Sequence, residues 1–267
     1  MSLIFTIFKQ QFLHLPVILR LSAYEVKSKY RKHYLGAVWQ IMNPLLQIGF
    51  YWFVFGFGLR GGSPVGDTPF FLWLIAGFIP WFFIYYTVIN ASNIVYVKLN
   101  DLSKMSIPPS VLPTIKIIEH AFSFLIMLVL TFIVLLINVE FAGVYLLQLI
   151  YYSICLLFLL FGFTLLSSTL VTIISGAQAI IQSGMRGMFF TLPIVWEVSV
   201  LPEFIYNILK LNPFFYIIDG FRASLLGGSW FYQDVTYAIY FWSVTLLVLL
   251  TASHFHMKYR HKLVDYL

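Results

Sequence analysis

Charge is scarce in this chain: Asp, Glu, Lys and Arg make up only 10% of its 267 residues. A soluble domain usually carries about 25%, so a water-facing surface cannot be clothed with so few. Apolar residues reach 61%, aromatics 19% and mean hydropathy +0.90, which excludes an ordinary soluble enzyme, a disordered chain and a collagen-like one. Cysteine is almost absent. The single Cys155 lies in an apolar run, so no disulfide can form within the chain and no redox compartment follows. Acids are outnumbered, ten against sixteen bases, for a formal charge of +6. The bases flank apolar runs and do not gather in one patch, which favours an anionic lipid surface or anionic cargo over nucleic acid. The opening MSLIFTIFKQQ lacks a positive start, a long apolar core and a small-residue cleavage site, so no signal peptide is expected.

Several chemistries also lack their motifs. Without a GxxxxGK[ST] loop, this chain is not expected to bind ATP in the P-loop manner. HExxH, a nucleophile elbow and paired catalytic carboxylates are missing, so no catalytic residue is assigned. His254, His256 and His261 sit at a basic edge without acidic or thiol companions, and no metal site is expected. Asn90-Ala91-Ser92 matches a glycosylation triplet but falls inside an apolar run.

Long apolar runs are what the chain does have, at about 35–59, 70–97, 115–138, 144–174, 187–200 and 235–256. A spanning helix needs about 20 such residues, so the expected fold is an all-α integral membrane domain with six spans over 35–256. Residues 1–34 form a region before it, and 257–267 a basic tail. Segment 201–227 is hydrophobic yet contains Lys210, Asn212, Pro213, Asp219 and Arg222. Six spans with the N-terminus inside place thirteen of the sixteen Lys and Arg on the cytoplasmic side, leaving Arg60, Lys210 and Arg222 outside. A seventh span would move Lys258, Arg260 and Lys262 outside, against the positive-inside rule. Segment 201–227 is therefore read as a re-entrant or interfacial helical pair, with both termini cytoplasmic.

Two segments on the cytoplasmic side suit contact with a partner. In LRLSAYEVKSKYRKHYLG the apolar stripe Leu19, Ala23, Val26, Tyr30 and Tyr34 is flanked by basic residues, giving an amphipathic helix on the membrane surface. It serves either as a topology anchor or as a lever that receives force. In VKLNDLSKMSIPPSVLPTIK, Asp101 and Lys104 are spaced to pair on a short helix, and Pro108, Pro109 and Pro113 stop helix propagation. That loop is either a plain turn or a stiff transmitter. Near the spans, Lys116 and Glu119 are spaced to pair. Glu197 lies near the outer end of the fifth run, and no row of acids crosses the membrane to support a proton-driven carrier. The first two runs are crowded with aromatics, suited to a lipid belt, to core packing, or to stacking on sugar rings.

The run YEVKSKYRKHYLGAVWQIMNPLLQIGFYWFVFGFGLRGG, followed by PFFLWLIAGFIPWFF, KMSIPPSVLPTIKIIE and LNPFFYIIDGFRASLLGG, resembles the permeases of polysaccharide-exporting ABC transporters. It is most similar to the wall teichoic acid export permeases of Gram-positive bacteria (TarG/TagG type), with O-antigen and capsule permeases as the wider circle. The resemblance follows the family's order of segments along nearly the whole chain. It implies a bacterial plasma-membrane homodimer with two ATP-binding cassette subunits, exporting an undecaprenyl-diphosphate-linked polymer between the protomers. No cofactor is implied for this chain, ATP and Mg2+ belonging to the partner subunit. Carried onto this sequence, Glu25, Lys27 and Arg31 in helix 19–34, and Asp101, Lys104 and Pro108 in loop 98–113, would couple to the ATPase. Trp52, Phe57, Trp73, Phe78 and Phe82 would line the pathway, and Arg186 would meet the diphosphate where it enters. Asp219 and Arg222, within pairing distance, would lie on the outer re-entrant pair. Two other readings are an ATP-independent flippase and a membrane glycan transferase using Glu203, Asp219, Arg222 and Asp234.

Overall fold

A computed structural model describes residues 2–31, 38–98, 107–137, 143–174, 176–198 and 201–265, the side chains at 2, 30, 31, 40 and 261–265 aside. Asp101 and Lys104 lie outside these residues, as does Tyr34, and of Arg31 only the backbone is described. Among the described residues ten α-helices follow in order: α1 Ser2–Leu13, α2 Leu15–Arg31, α3 Val38–Tyr51, α4 Phe70–Val97, α5 Leu112–Ile137, α6 Gln148–Ile173, α7 Ala177–Thr191, α8 Glu203–Lys210, α9 Pro213–Leu226 and α10 Val235–Asp265. The class is all-α, as composition requires. Among the described residues five stretches are long and apolar enough to cross a membrane: Ile41–Leu59, Phe70–Val97, Pro109–Ile137, Gly143–Ile173 and Val235–Arg260.

The fifth expected span, 187–200, is corrected. Its helix begins ten residues earlier, at Ala177, and ends at Thr191. Pro193 explains the end: the residue before a proline is pushed out of the α region, and Leu192 is extended at φ −86°, ψ 153° while its N–H closes on Met188 O at 2.9 Å. At 15 residues the helix is roughly 22 Å long, short of a hydrocarbon core of about 30 Å.

Helix α4 is the hub. It packs on α5, α6, α7 and α9, and 78% of its most apolar window is buried, against 17% for the first span. The first span therefore turns most of its apolar surface, including Phe50, Phe53 and Phe57, away from its own bundle. Its C-terminal half is π-helical over Trp52–Leu59 and closes with Arg60 N–H on Phe55 O, five residues back. π-helical turns are rare and frequently accompany function.

The pair α8–α9 replaces a seventh span. Asn212 caps α9 by accepting the Phe214 N–H at 3.0 Å, Pro213 occupies the first turn, and Gly227 at φ 79° ends it. Seven apolar side chains of α9, from Phe214 to Leu225, are then buried against α4 and α6. The contact with α6 requires Gly220, where a Cβ would stand 2.0 Å from the Tyr152 ring. Gly220→Ala is expected to cost roughly 1–3 kcal/mol by overpacking, read as a lower melting temperature of the detergent-extracted chain.

At the opposite end, α1 and α2 clasp the start of the third span. Gln11 Nε2 donates to Ser110 O at 3.1 Å, Ser110 Oγ to Gln10 Oε1 at 2.7 Å, and Thr114 Oγ1 to Gln11 Oε1 at 2.8 Å. The buried face of α2 is Ile18 and Ser22, whose hydroxyl donates to Ile18 O and Ile115 O. Leu19 and Ala23, expected on the apolar stripe, stay exposed beside it. The bundle selects the face carrying Ser22 because that hydroxyl finds a carbonyl on each side of the contact.

Candidate functional site

Three groups of polar side chains stand out against so apolar a background. The first joins α2 to the bundle. Lys98, just past α4, donates to Glu25 Oε1, and Lys116 Nζ lies 3.2 Å from Glu25 Oε2 and 2.6 Å from Glu119 Oε2. Lys29 Nζ stands 3.8 Å from Glu119 Oε1. The expected Lys116–Glu119 pair thus exists, but as one link of a five-residue network across three elements. Glu25 faces inward to these lysines, while Lys27 is exposed. Pro108 is extended at φ −61°, ψ 135° and leads into a short 3₁₀ turn, Pro109–Val111, beneath α1. Sequence reasoning missed Lys98 and Lys29 as partners, because their pairing depends on how α2 lies across α4 and α5.

Burial opposes ionisation of Glu25, but hydrogen bonds and charges from Lys98 and Lys116 outweigh it and hold its carboxyl below the ordinary value of 4.5. A lowered folded value stabilises above the unfolded one and is lost as pH falls through the folded one. Wild type should therefore melt above Glu25→Gln at neutral pH, and the two should converge as pH falls below the lowered folded value of Glu25. Melting curves across pH check this.

The second group is a cavity of about 510 Å³ between α3, α4 and α7. Phe78, Trp81, Phe82, Tyr85 and Tyr86 reach it from α4 because their spacings of three and four keep them on one helical face. Tyr51 comes from α3, stacked 5.1 Å from Phe78, and Phe189 from α7, 5.0 Å from Tyr51. Gln47 donates to Tyr86 Oη at 3.1 Å. Arg186 completes the lining. It is exposed, bonds only to Ser183 Oγ (3.2 Å) on its own helix, and forms no ion pair among the described residues. Arg186 stands nine residues beyond Ala177, roughly 14 Å along the axis.

The structure thus brings together Phe78, Phe82 and Arg186 of the expected pathway residues, and does not bring Trp52, Phe57 or Trp73 to them. Trp52 lies on the π-helical stretch, edge-on to Phe57 at 5.0 Å and Phe71 at 5.6 Å. Tyr51, Tyr85, Tyr86 and Gln47 were not singled out from sequence, although polar atoms within apolar runs were a signal for them.

The third group explains Trp73. Its ring is 7% exposed and lies beneath Arg222, whose Cζ is 3.6 Å from the ring centroid. Arg222 also donates from Nη2 to Pro193 O at 2.7 Å and from Nε to Trp73 O at 3.4 Å. The expected pairing with Asp219 is corrected: among the described residues no ion pair joins them. The Pro193 carbonyl at the break after α7 and the Trp73 carbonyl on α4 take the guanidinium instead. Nearby, Arg60 Nη2 meets Glu197 Oε2 at 3.2 Å, linking the end of the first span to the stretch after α7. Among the described residues no cluster of His, Cys, Asp and Glu could hold a metal.

Apolar helices of spanning length around an aromatic-lined cavity define an all-α integral membrane protein. Residues 16–226 match the ABC-2 type transporter family, and the chain belongs to it. Among its relatives, an O-antigen export system permease protein RfbA of Klebsiella pneumoniae is 24% identical over 239 residues, covering 88% of this chain and 90% of the relative. The protein of the same name from Myxococcus xanthus is 24% identical over 205 residues, covering 74% and 76%.

Proposed function

We propose that the chain is the permease subunit of an ATP-driven exporter of a lipid-linked surface polysaccharide, two copies working with two ATP-binding cassette subunits. The observation that carries this reading is the cavity of aromatic side chains with one guanidinium that forms no ion pair among the described residues, in a member of the ABC-2 family whose relatives are called O-antigen export permeases. Tyrosine and tryptophan faces stack on sugar rings, and the Arg186 fork fits phosphate oxygens. Cargo that joins glycan to phosphate matches both. Wall teichoic acid on an undecaprenyl diphosphate is the particular cargo favoured by the sequence resemblance, and O-antigen by the relatives' names.

ATP binding would close the partner subunits against α2 and the segment before α5. The network of Glu25, Lys98, Lys116 and Glu119 would then carry the displacement into α5 and α4, and α4 borders the cavity. Energy comes from the partner, and this chain supplies the route. Membership in an ABC family supports ATP coupling over an ATP-independent flippase. The test is ATP hydrolysis in nanodiscs holding this chain and its ATP-binding subunit, with and without lipid-linked polymer. Polymer-stimulated hydrolysis is the expected result; hydrolysis indifferent to every polymer contradicts the reading.

A further inference from the structure

A second cavity, of about 240 Å³, lies on the other side of the Phe82 and Tyr86 rings, between α2, α3, α4 and α5. Its lining changes character with depth. At the end beside the ion network stand Lys29, Asn43 and His120; deeper along α4 and α5 come Phe83, Phe124 and Met127. His120 and Met127 are seven residues apart on one helix, so the slot runs roughly 10 Å from its polar mouth into the apolar layer. The network at that mouth holds three lysines and two glutamates, an excess of one positive charge among the described residues. Lys29 is its most loosely held member, 3.8 Å from Glu119 with its side chain 46% exposed. His120 is held on its other side by Asn90, 3.2 Å away.

A cation above a narrow apolar slot matches one class of ligand: an amphiphile with a phosphate at its head and a hydrocarbon tail. We propose that this cavity binds a membrane lipid with a net-anionic phosphate headgroup, its phosphate against Lys29 and its tail between Phe83, Phe124 and Met127. A resident anionic phospholipid and a polyprenyl phosphate share that chemistry. The site is separate from the Arg186 cavity and does not rest on the export reading, because the chain alone can be titrated.

Trp39 lines the cavity and provides a local reporter. The full chain, delipidated in detergent, is titrated with dibrominated phosphatidylglycerol, and with dibrominated phosphatidylcholine as the neutral control. Phosphatidylglycerol is expected to quench a saturable part of the tryptophan fluorescence that disappears in Trp39→Phe. Lys29→Gln should weaken this binding at least about fivefold, by loss of one lysine–phosphate attraction, and leave phosphatidylcholine unaffected. Met127→Phe, which narrows the slot without touching charge, should weaken it as well. Unbrominated polyprenyl phosphate then separates the sources: displacement of phosphatidylglycerol identifies the polyprenyl lipid as an occupant, and no displacement identifies a resident phospholipid. The proposal is overturned if phosphatidylcholine quenches Trp39 equally, if Lys29→Gln binds as wild type does, or if inorganic phosphate alone displaces the lipid.

Discussion

Replacement of Arg222 by alanine is expected to destabilise the chain by about 3–5 kcal/mol, since two hydrogen bonds from a charged donor to buried carbonyls are lost together with the stack on Trp73. Those carbonyls belong to Trp73 and Pro193, so one side chain fastens α9 to α4 and to the end of α7. For a domain of this size such a loss lowers the melting temperature by roughly 6–20 °C. Arg222→Lys keeps the charge but loses the planar stack on Trp73 and the fork geometry, and should fall between. Gly77 supplies the companion test, because a Cβ there would stand 2.6 Å from Arg222 Nη2. Gly77→Ala should therefore be costly in wild type and much cheaper beside Arg222→Ala, a coupling that a double-mutant cycle reads directly. Additive costs would show that the two residues do not share the contact.

Charge reversal at Glu25 is expected to have the largest effect on coupling. Glu25→Lys puts a fourth lysine against Lys98, Lys116 and Lys29, with Glu119 the remaining acid of the network. Repulsion should lift α2 from α4 and α5, and polymer-dependent ATP hydrolysis of the assembled transporter should fall by at least about tenfold. A shift of about 1.4 kcal/mol suffices for that factor, within reach of a partly buried pair. Glu25→Lys combined with Lys98→Glu restores one opposed pair and should recover part of the loss. A helix serving only as a topology anchor would leave hydrolysis intact in both variants.

Much of this was legible in the sequence because it depends on local rules. Composition set the class, Pro108 and Pro109 set the break before α5, and the three-residue spacing of Lys116 and Glu119 set their pair. Asn212, Pro213 and Gly227 delimit α9 by capping chemistry that needs no tertiary partner. Helix α7 was misplaced because Gln178, Gln182, Ser183 and Arg186 make a hydropathy profile read its first half as a loop. One of them is part of what holds that helix: Gln178 accepts from Ser92 Oγ at 2.8 Å and donates to Ile89 O at 3.1 Å on α4. Polar atoms that count against a span in sequence can join helices in the fold. Arg222 was read toward Asp219 for the same reason, since neighbours in sequence were weighed and the Pro193 carbonyl, 29 positions away, was not visible.

The cavity was half legible. Phe78 and Phe82 were chosen as aromatics of the second run, and their helical spacing brings Trp81, Tyr85 and Tyr86 to the same face. Which aromatics of the first run join them was not decidable from pattern, because the π-helical stretch changes the angular step after Tyr51. Tyr51 meets Phe78, whereas Trp52 and Phe57 turn elsewhere.

The most direct test of the central claim is transport of a lipid-linked polymer into proteoliposomes containing this chain and its ATP-binding subunit, comparing wild type with Arg186→Gln. Arg186 is exposed, so the variant should fold and assemble as wild type does. ATP-dependent transport by wild type, reduced at least about tenfold in the variant while the complex stays intact, is the predicted result; tenfold corresponds to about 1.4 kcal/mol of lost guanidinium–phosphate interaction. Equal transport by both proteins would contradict the account and remove the cavity from the route.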